Sequence, residues 1–349
     1  MRKILFASVA ATALMVCSGP ALADAFLSSG NVDLGVKSDG ALGVSQSLMT
    51  APYSNQYSSG GAAPRFSGES VGLGLLGVGD AIAPGCFCEG WGASGNGVAA
   101  YDGNADGSNG ALGVISFTQS DASHATSVTS VGGTPLVVTQ AYGPAAGAPS
   151  QIFQDTVTIT NTDPVNTVTD VRYNREMDWD IVPTPYDEYT SIGGLPSPEL
   201  IYSGDNGFCA PNPLTVIPGG SCASFFPGTT NTNFYHSGPH DQGSGFTFGF
   251  GDLAAGQSAT FNIYYGADYS ENAALNDLAA VGAQVYVLGE SDPANNGTGQ
   301  FGTPGTFVFG FGGAGISGGG VSVPEPVTLA LLGSGLLGLG SLRRRYRKA

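Results

Sequence analysis

Short runs of β-branched and aromatic residues, each stopped by glycine, proline, asparagine or aspartate, recur along this chain and constrain its fold more than any other feature. Successive side chains of a strand point to opposite faces, so a run such as Phe153 to Asn161, with Phe153, Val157 and Ile159 on one side, buries one face and solvates the other. The pattern predicts strands at Val32 to Val36, Leu112 to Gln119, Ala125 to Val131, Leu136 to Tyr142, Phe153 to Asn161 and Thr167 to Trp179. It continues at Gly245 to Gly251, Ser258 to Tyr265, Gln284 to Leu288 and Thr306 to Phe311. Ser38-Asp39-Gly40 reads as a hairpin turn joining Val32 to Val36 with Ala41 to Ser45. One helix is expected, Glu271 to Val281, with Ser270 as N-cap, an apolar stripe of Ala274, Leu275, Leu278 and Val281, and Gly282 as the stop. It should cover an edge or an end of the sheets. No repeat of 20 to 50 residues is visible, which disfavours a solenoid or propeller. The expected fold is all-β, a large antiparallel β-sandwich with one short helix.

Within that body, Thr156 to Thr162 followed by Thr167 to Tyr173 resembles an immunoglobulin-like strand pair, and Leu253 to Phe261 has a turn-then-strand form common in exported sandwiches. The stretch Gly143 to Ser150 reads as a long hairpin loop, or as a linker dividing the body into two subdomains.

Both ends read as processing signals. Met1-Arg2-Lys3, an apolar stretch from Ile4 to Val16 and Ala21-Leu22-Ala23 follow the order of a secretory signal peptide over residues 1–23, with cleavage expected after Ala23. A lipoprotein reading through Cys17 is weakened by the bulky Val16 before it. At the other end an apolar run of 16 residues, Val327 to Leu342, spans about 24 Å as a helix, short of a ~30 Å hydrocarbon core. The basic cluster Arg343, Arg344, Arg345, Arg347 and Lys348 behind it places the C-terminus in the cytoplasm and the body across the membrane.

The triplet Pro324-Glu325-Pro326, the short apolar span and the terminal arginines stand in the order of the PEP-CTERM sorting signal, which this end resembles over residues 319–349. The resemblance implies an exosortase partner that removes the tail near Pro324, Glu325 and Pro326. It also implies transient membrane residence through residues 327–342, release of the body 24–318 to the cell surface or exterior, and an association with exopolysaccharide. A plain membrane anchor is the alternative. Gly85 to Gly92, Met177 to Asp180 and Thr306 to Phe311 are similar to body sequences of uncharacterised PEP-CTERM proteins, a likeness that implies no activity.

Setting the ends aside changes the charge. Of 27 acidic residues only Glu325 lies in them, and of 11 basic residues only Lys37, Arg65, Arg172 and Arg175 lie outside, leaving 26 acidic groups against 4 basic, a net charge of −22. Such a field repels nucleic acid and anionic lipid and attracts divalent cations. Four cysteines remain, Cys86, Cys88, Cys209 and Cys222, an even number that favours disulfides in an exported chain. Either Cys209 closes locally with Cys222 or both reach back to Cys86 and Cys88; a four-cysteine zinc site is the functional alternative.

Asp102, Asn104 and Asp106, with Gly107 behind them, have the spacing of the front half of a calcium loop, although position twelve is Gly113; the same residues also make a polar turn. Glu176, Asp178 and Asp180 alternate and so share one face of a strand, while Arg175, Met177 and Trp179 share the other. With Asp187 and Glu188 nearby, three readings stand: an outward polar face over a buried Trp179, a calcium site, or a paired-carboxylate glycan hydrolase or lyase. In His236-Ser237-Gly238-Pro239-His240-Asp241 the glycine and proline rule out a helical metal motif and leave a loop site or a general base. His124 is expected to be exposed, and Trp91 to be buried beside a disulfide rather than stacked on a sugar. No G-x-S-x-G, H-E-x-x-H or phosphate-binding loop occurs. The composite expectation is an exosortase-processed surface or matrix protein with a structural or adhesive role.

Overall fold

The computed structural model describes residues 24–45, 70–82, 89–103, 110–147, 151–293, 300–316 and 318–321. Residues 1–23, where a signal peptide is expected, and the tail from 322 lie outside them, as do Cys86, Cys88, Asn104 and Asp106. Among the described residues no helix is long and apolar enough to cross a membrane.

Two antiparallel sheets pack face to face. The larger has nine strands in the order β16 (Phe234–His240), β14 (Glu188–Gly193), β19 (Val285–Glu290), β20 (Thr306–Gly312), β18 (Ser258–Asp268), β12 (Ile152–Asn161), β11 (Leu136–Pro144), β10 (Ala125–Val131) and β9 (Leu112–Gln119). The smaller has five, in the order β15 (Leu200–Gly204), β17 (Gly243–Leu253), β13 (Val168–Asp178), β7 (Glu89–Gly95) and β8 (Val98–Tyr101). Aromatic side chains meet between the layers: Phe246 and Phe248 of β17 lie 4.9 and 5.0 Å from Phe311 of β20, Tyr173 lies 5.1 Å from Phe261, and Trp179 meets Phe309 edge-on at 5.3 Å. Truncating one such fully buried ring to alanine costs about 3–5 kcal/mol. A four-stranded N-terminal sheet, β1 (Asp24–Ser29), β2 (Val32–Lys37), β5 (Leu73–Leu75) and β6 (Gly79–Asp80), adds its apolar residues to the same core, and β3 (Val44–Ser45) pairs with β4 (Ser70–Val71).

Helix α1 (Glu271–Ala280) begins where expected: the Ser270 hydroxyl accepts from the Ala273 amide at 3.4 Å, and Val281 ends it as C-cap. It covers a face rather than an edge or end of the sheets. Ala274, Leu275 and Leu278 pack on Tyr264, Tyr286, Leu288 and Val308, so the nine-stranded sheet is buried on both sides in this half.

The resemblance to an immunoglobulin-like pair fails at the segment after Asn161. β12 pairs with β11 and β18, whereas β13 pairs with β17 and β7, so the connection crosses from one sheet to the other. Its turn is built by side chains. Asp163 Oδ1 accepts from the amides of Val165 and Asn166, and Asn161 Nδ2 donates to the carbonyls of Asn166 and Leu253, each at 2.9 Å. Such local side-chain bonds compete with the ladder and release the chain from the sheet. Across residues 143–144 the ladder of β11 with β12 continues, Gly143 opposite Gln154 and Pro144 opposite Phe153.

Candidate functional site

Two of the places where charge enters this interior lie along β13. At the first, Arg175 of β13 and Glu89 of β7 are both fully buried and form an ion pair. The guanidinium also donates to Gln140 Oε1 at 2.8 Å, to the Tyr173 hydroxyl at 2.9 Å and to the Gly40 carbonyl at 3.1 Å. Glu89 accepts from the Leu42 amide at 2.7 Å. Burial pushes the Glu89 carboxyl up, while Arg175 pulls it back. The Ser38-Asp39-Gly40 turn closes the expected hairpin, with Val36 bridged to Leu42, and its carbonyls plug into the core. Trp91 Nε1 donates to Asp39 O at 3.0 Å, Tyr142 to Gly40 O at 2.6 Å and Ser127 Oγ to Ser38 O at 2.7 Å. Gly40 sits at φ +89, and a Cβ there would fall 2.0 Å from Gln140 Nε2. Trp91 is fully buried and stacked on Tyr173 at 5.7 Å, which removes it as a sugar platform.

The second place is the far end of β13. Trp179 is buried as expected, but the carboxylates do not face outward: Glu176, Asp178 and Asp180 are 0%, 3% and 2% exposed. The segment 205–232 lies over the part of this face around Asn174 and Glu176. Thr247 Oγ1 donates to Val216 O at 2.7 Å, and Val216 packs with Tyr202 and with Cys222, which is bridged to Cys209. That bridge settles one pairing in favour of local closure of the 209–222 loop; Cys86 and Cys88 lie outside the described residues.

The three carboxylates also part company. Glu176 accepts from Asn174 Nδ2 at 3.1 Å and acts on Tyr202. Asp178 and Asp180 instead join Glu188 and Asp241. Burial pushes Asp178 well up, with Asp180 and Asp241 adding to it. Burial and then Asp241 and Asp80 raise Asp180 to about 7. Glu188 is pushed up to about 10 by burial, although its Oε1 accepts from the amides of Ile181 at 3.1 Å and Tyr186 at 2.7 Å. Among the described residues, Lys37 binds Asp39 and Asp102, Arg172 binds Asp170, and Arg175 binds Glu89. Arg172, on the same side of β13 as Glu176 and Asp178 by alternation, is bound to Asp170 and to the Pro213 carbonyl instead.

Asp102, the first residue of the calcium-like spacing, is held by Lys37, and burial followed by Asp39 raises it to about 6. It lies apart from the Asp178 group. The two histidines diverge as well. His240 packs against Phe225 at 4.5 Å, while His236 points to Glu271 and Glu290, its Nε2 lying 3.4 and 3.6 Å from their Oε2 atoms. Sequence reasoning missed Asp241, Glu271 and Glu290 as site residues. The one available signal was the acidic residue at the first position of a helix near a turn-bound histidine.

The chain ends its described course against the body. The Gly319 amide donates to Gly194 O at 2.6 Å, the Gly320 amide to Gln284 O at 3.1 Å, and Val321 packs beside the helix cluster. From there residues 322–345 match the PEP-CTERM protein-sorting motif. No curated protein and no solved structure matches the chain. The motif indicates an exported protein that is membrane-anchored and then processed, and it implies interaction with an exosortase.

Proposed function

We propose that the body of this protein is a non-catalytic structural or adhesive component of an extracellular polysaccharide matrix, exported through a signal peptide over residues 1–23 and freed from its anchor by an exosortase. The sorting motif at residues 322–345 carries this reading. Two features of the body support it. Of the carboxylates suited by sequence to glycan cleavage, Glu176, Asp178, Asp180 and Glu188 are buried, away from a polymer that would have to reach them, and Asp187 is exposed. A net charge of −22 on the mature body suits a soluble matrix component that gathers divalent cations. Calcium at Asp178 and Asp180 belongs to the same proposal, since two buried carboxyls that burial and neighbouring acids push up are relieved by a hard cation that takes oxygen ligands.

Replacing Pro324-Glu325-Pro326 by alanines tests the route. The expected result is a longer, membrane-bound form in cell fractions and none in the medium; normal release of that variant ends the sorting claim. The matrix role is checked by incubating the released protein with the producer's own exopolysaccharide. Co-sedimentation without any shortening of the polymer is expected, and depolymerisation would establish an enzyme instead.

A further inference from the structure

His236, Glu271 and Glu290 come from three elements separated in sequence and aim their ligand atoms at one point. Their nitrogen and oxygen atoms lie within 4.8 Å of one another. From the geometry we infer that these three side chains bind one divalent first-row transition ion of the zinc class, with a further position open to water. This site is separate from the Asp178 group and does not depend on the matrix role.

Backbone irregularity first directs the histidine. Between β14 and β16, Ile192 faces Phe234 but Thr190 faces Ser237, so β16 carries one extra residue in this interval. His236 occupies the bulge at φ +50, a left-handed conformation that a non-glycine residue adopts at a cost. Bulges re-aim side chains, and this one turns the imidazole off the sheet edge onto Glu271 and Glu290. Phe301 lies flat against the ring at 3.9 Å and 7°, fixing its plane.

The separations suit an ion better than a direct hydrogen bond. The distances of 3.4 and 3.6 Å exceed a good N–H···O contact, typically about 2.7–3.2 Å. Bonds of ~2.0–2.2 Å to a tetrahedral ion place its ligand atoms roughly 3.3–3.5 Å apart. Glu290 supplies the independent observation: it is fully buried, and its Oε1 accepts no hydrogen bond. A buried carboxylate oxygen without a donor is costly unless a cation takes it.

The outer shell has the form of a metal site. Ser191 Oγ donates to Glu290 Oε2 at 2.9 Å and accepts from the His236 amide at 2.9 Å, tying two ligands together. Two carboxylates and one imidazole neutralise a divalent charge and offer the mixed O and N set that zinc and its neighbours accept. His236 and Glu271 are 28% and 29% exposed, which leaves a route for the ion and room for water.

The test uses the full-length chain, stripped with a chelator and titrated with zinc chloride by calorimetry and with cobalt chloride by visible absorption. One zinc per chain at micromolar affinity or tighter is expected, with cobalt bands that disappear in His236→Ala. Glu290→Gln should weaken zinc at least about tenfold, and Asp121→Asn, at an exposed carboxylate beside His124, should bind as the native chain does. Should Glu290→Gln fail to fold, the partly exposed Glu271→Gln carries the same expectation. A native chain that takes up no zinc, or a His236→Ala variant that binds as tightly as the native chain, overturns the assignment and leaves an ion pair only.

Discussion

The Arg175 network and the Asp178 group both bury charge at β13, and they do it in opposite ways. Around Arg175 one cation meets Glu89, Gln140, Tyr173 and the Gly40 carbonyl, so each donor finds an acceptor. A few residues further on, burial raises the proton affinity of Asp178, Asp180 and Glu188, with Asp180 and Asp241 adding to Asp178, Asp241 and Asp80 to Asp180, and Asp180 and Asp178 to Glu188. A paired interior charge fixes a fold, because the plug of residues 38–40 fits only where its carbonyls meet those donors. A gathering of like charges costs stability and is tolerated where protons or a cation supply the missing positive charge.

The contrast breaks most readily at Glu89. Removing one partner of a buried pair leaves the other uncompensated, so Glu89→Gln should lower unfolding free energy by about 3–5 kcal/mol in urea titration. Adding Arg175→Met to it should recover part of the loss; a single variant within about 1 kcal/mol of the native chain would show the pair to be incidental. Cys209→Ser should cost about 3 kcal/mol by releasing a loop with a sequence separation of 13, and should loosen the cover over the acidic face.

Asp155, close to the paired network, sharpens the comparison through pH. Burial raises it to about 7 even though Arg175 pulls it down, above the ~3.9 of an unfolded aspartate. The folded chain therefore holds the proton more tightly. Its contribution is complete below about pH 4 and is lost as pH rises through about 7. About 2–3 kcal/mol should disappear between pH 5 and 8 in denaturation curves, and Asp155→Asn should remove that part of the slope. The smallest effect belongs to the acidic group. In chelator at pH 8, Asp178→Asn should stabilise by about 1–2 kcal/mol, since the native carboxyl, ionised in the unfolded chain, must take up a proton on folding or be buried as an anion. Calcium should raise the Tm of the native chain and do less for the variant. Equal responses of the two would separate Asp178 from any cation site.

Much of the fold is legible in sequence where local rules suffice. β9 and β10 begin and end at the predicted residues, and α1 starts on its serine cap. Nine of the described strands were not anticipated: β1, β4 to β8, and β14 to β16. Glu89–Gly95 has no β-branched residue and is buried on both faces. Its glycines serve close approach, since a Cβ on Gly92 would lie 2.2 Å from Pro211 O. β16 contains Pro239, which sequence reading takes as a break; as the edge strand of the nine-stranded sheet it loses no ladder bond that a central strand needs. The acidic alternation of Glu176, Asp178 and Asp180 is correct as a pattern, but alternation does not say what lies over a face.

By itself the sequence determined the all-β class with about half of its strands, the capped helix, the anionic body and the sorting motif at the C-terminus, because period, caps and tail motifs act within a few residues of chain. Tertiary structure alone decided which sheet each strand joined, that β12 and β13 part company, and that Arg175 meets a glutamate 86 residues away. It also decided that His236 meets Glu271 and Glu290. Burial and charge pairing depend on what the folded chain brings alongside a residue, and neighbours along the sequence carry no record of that.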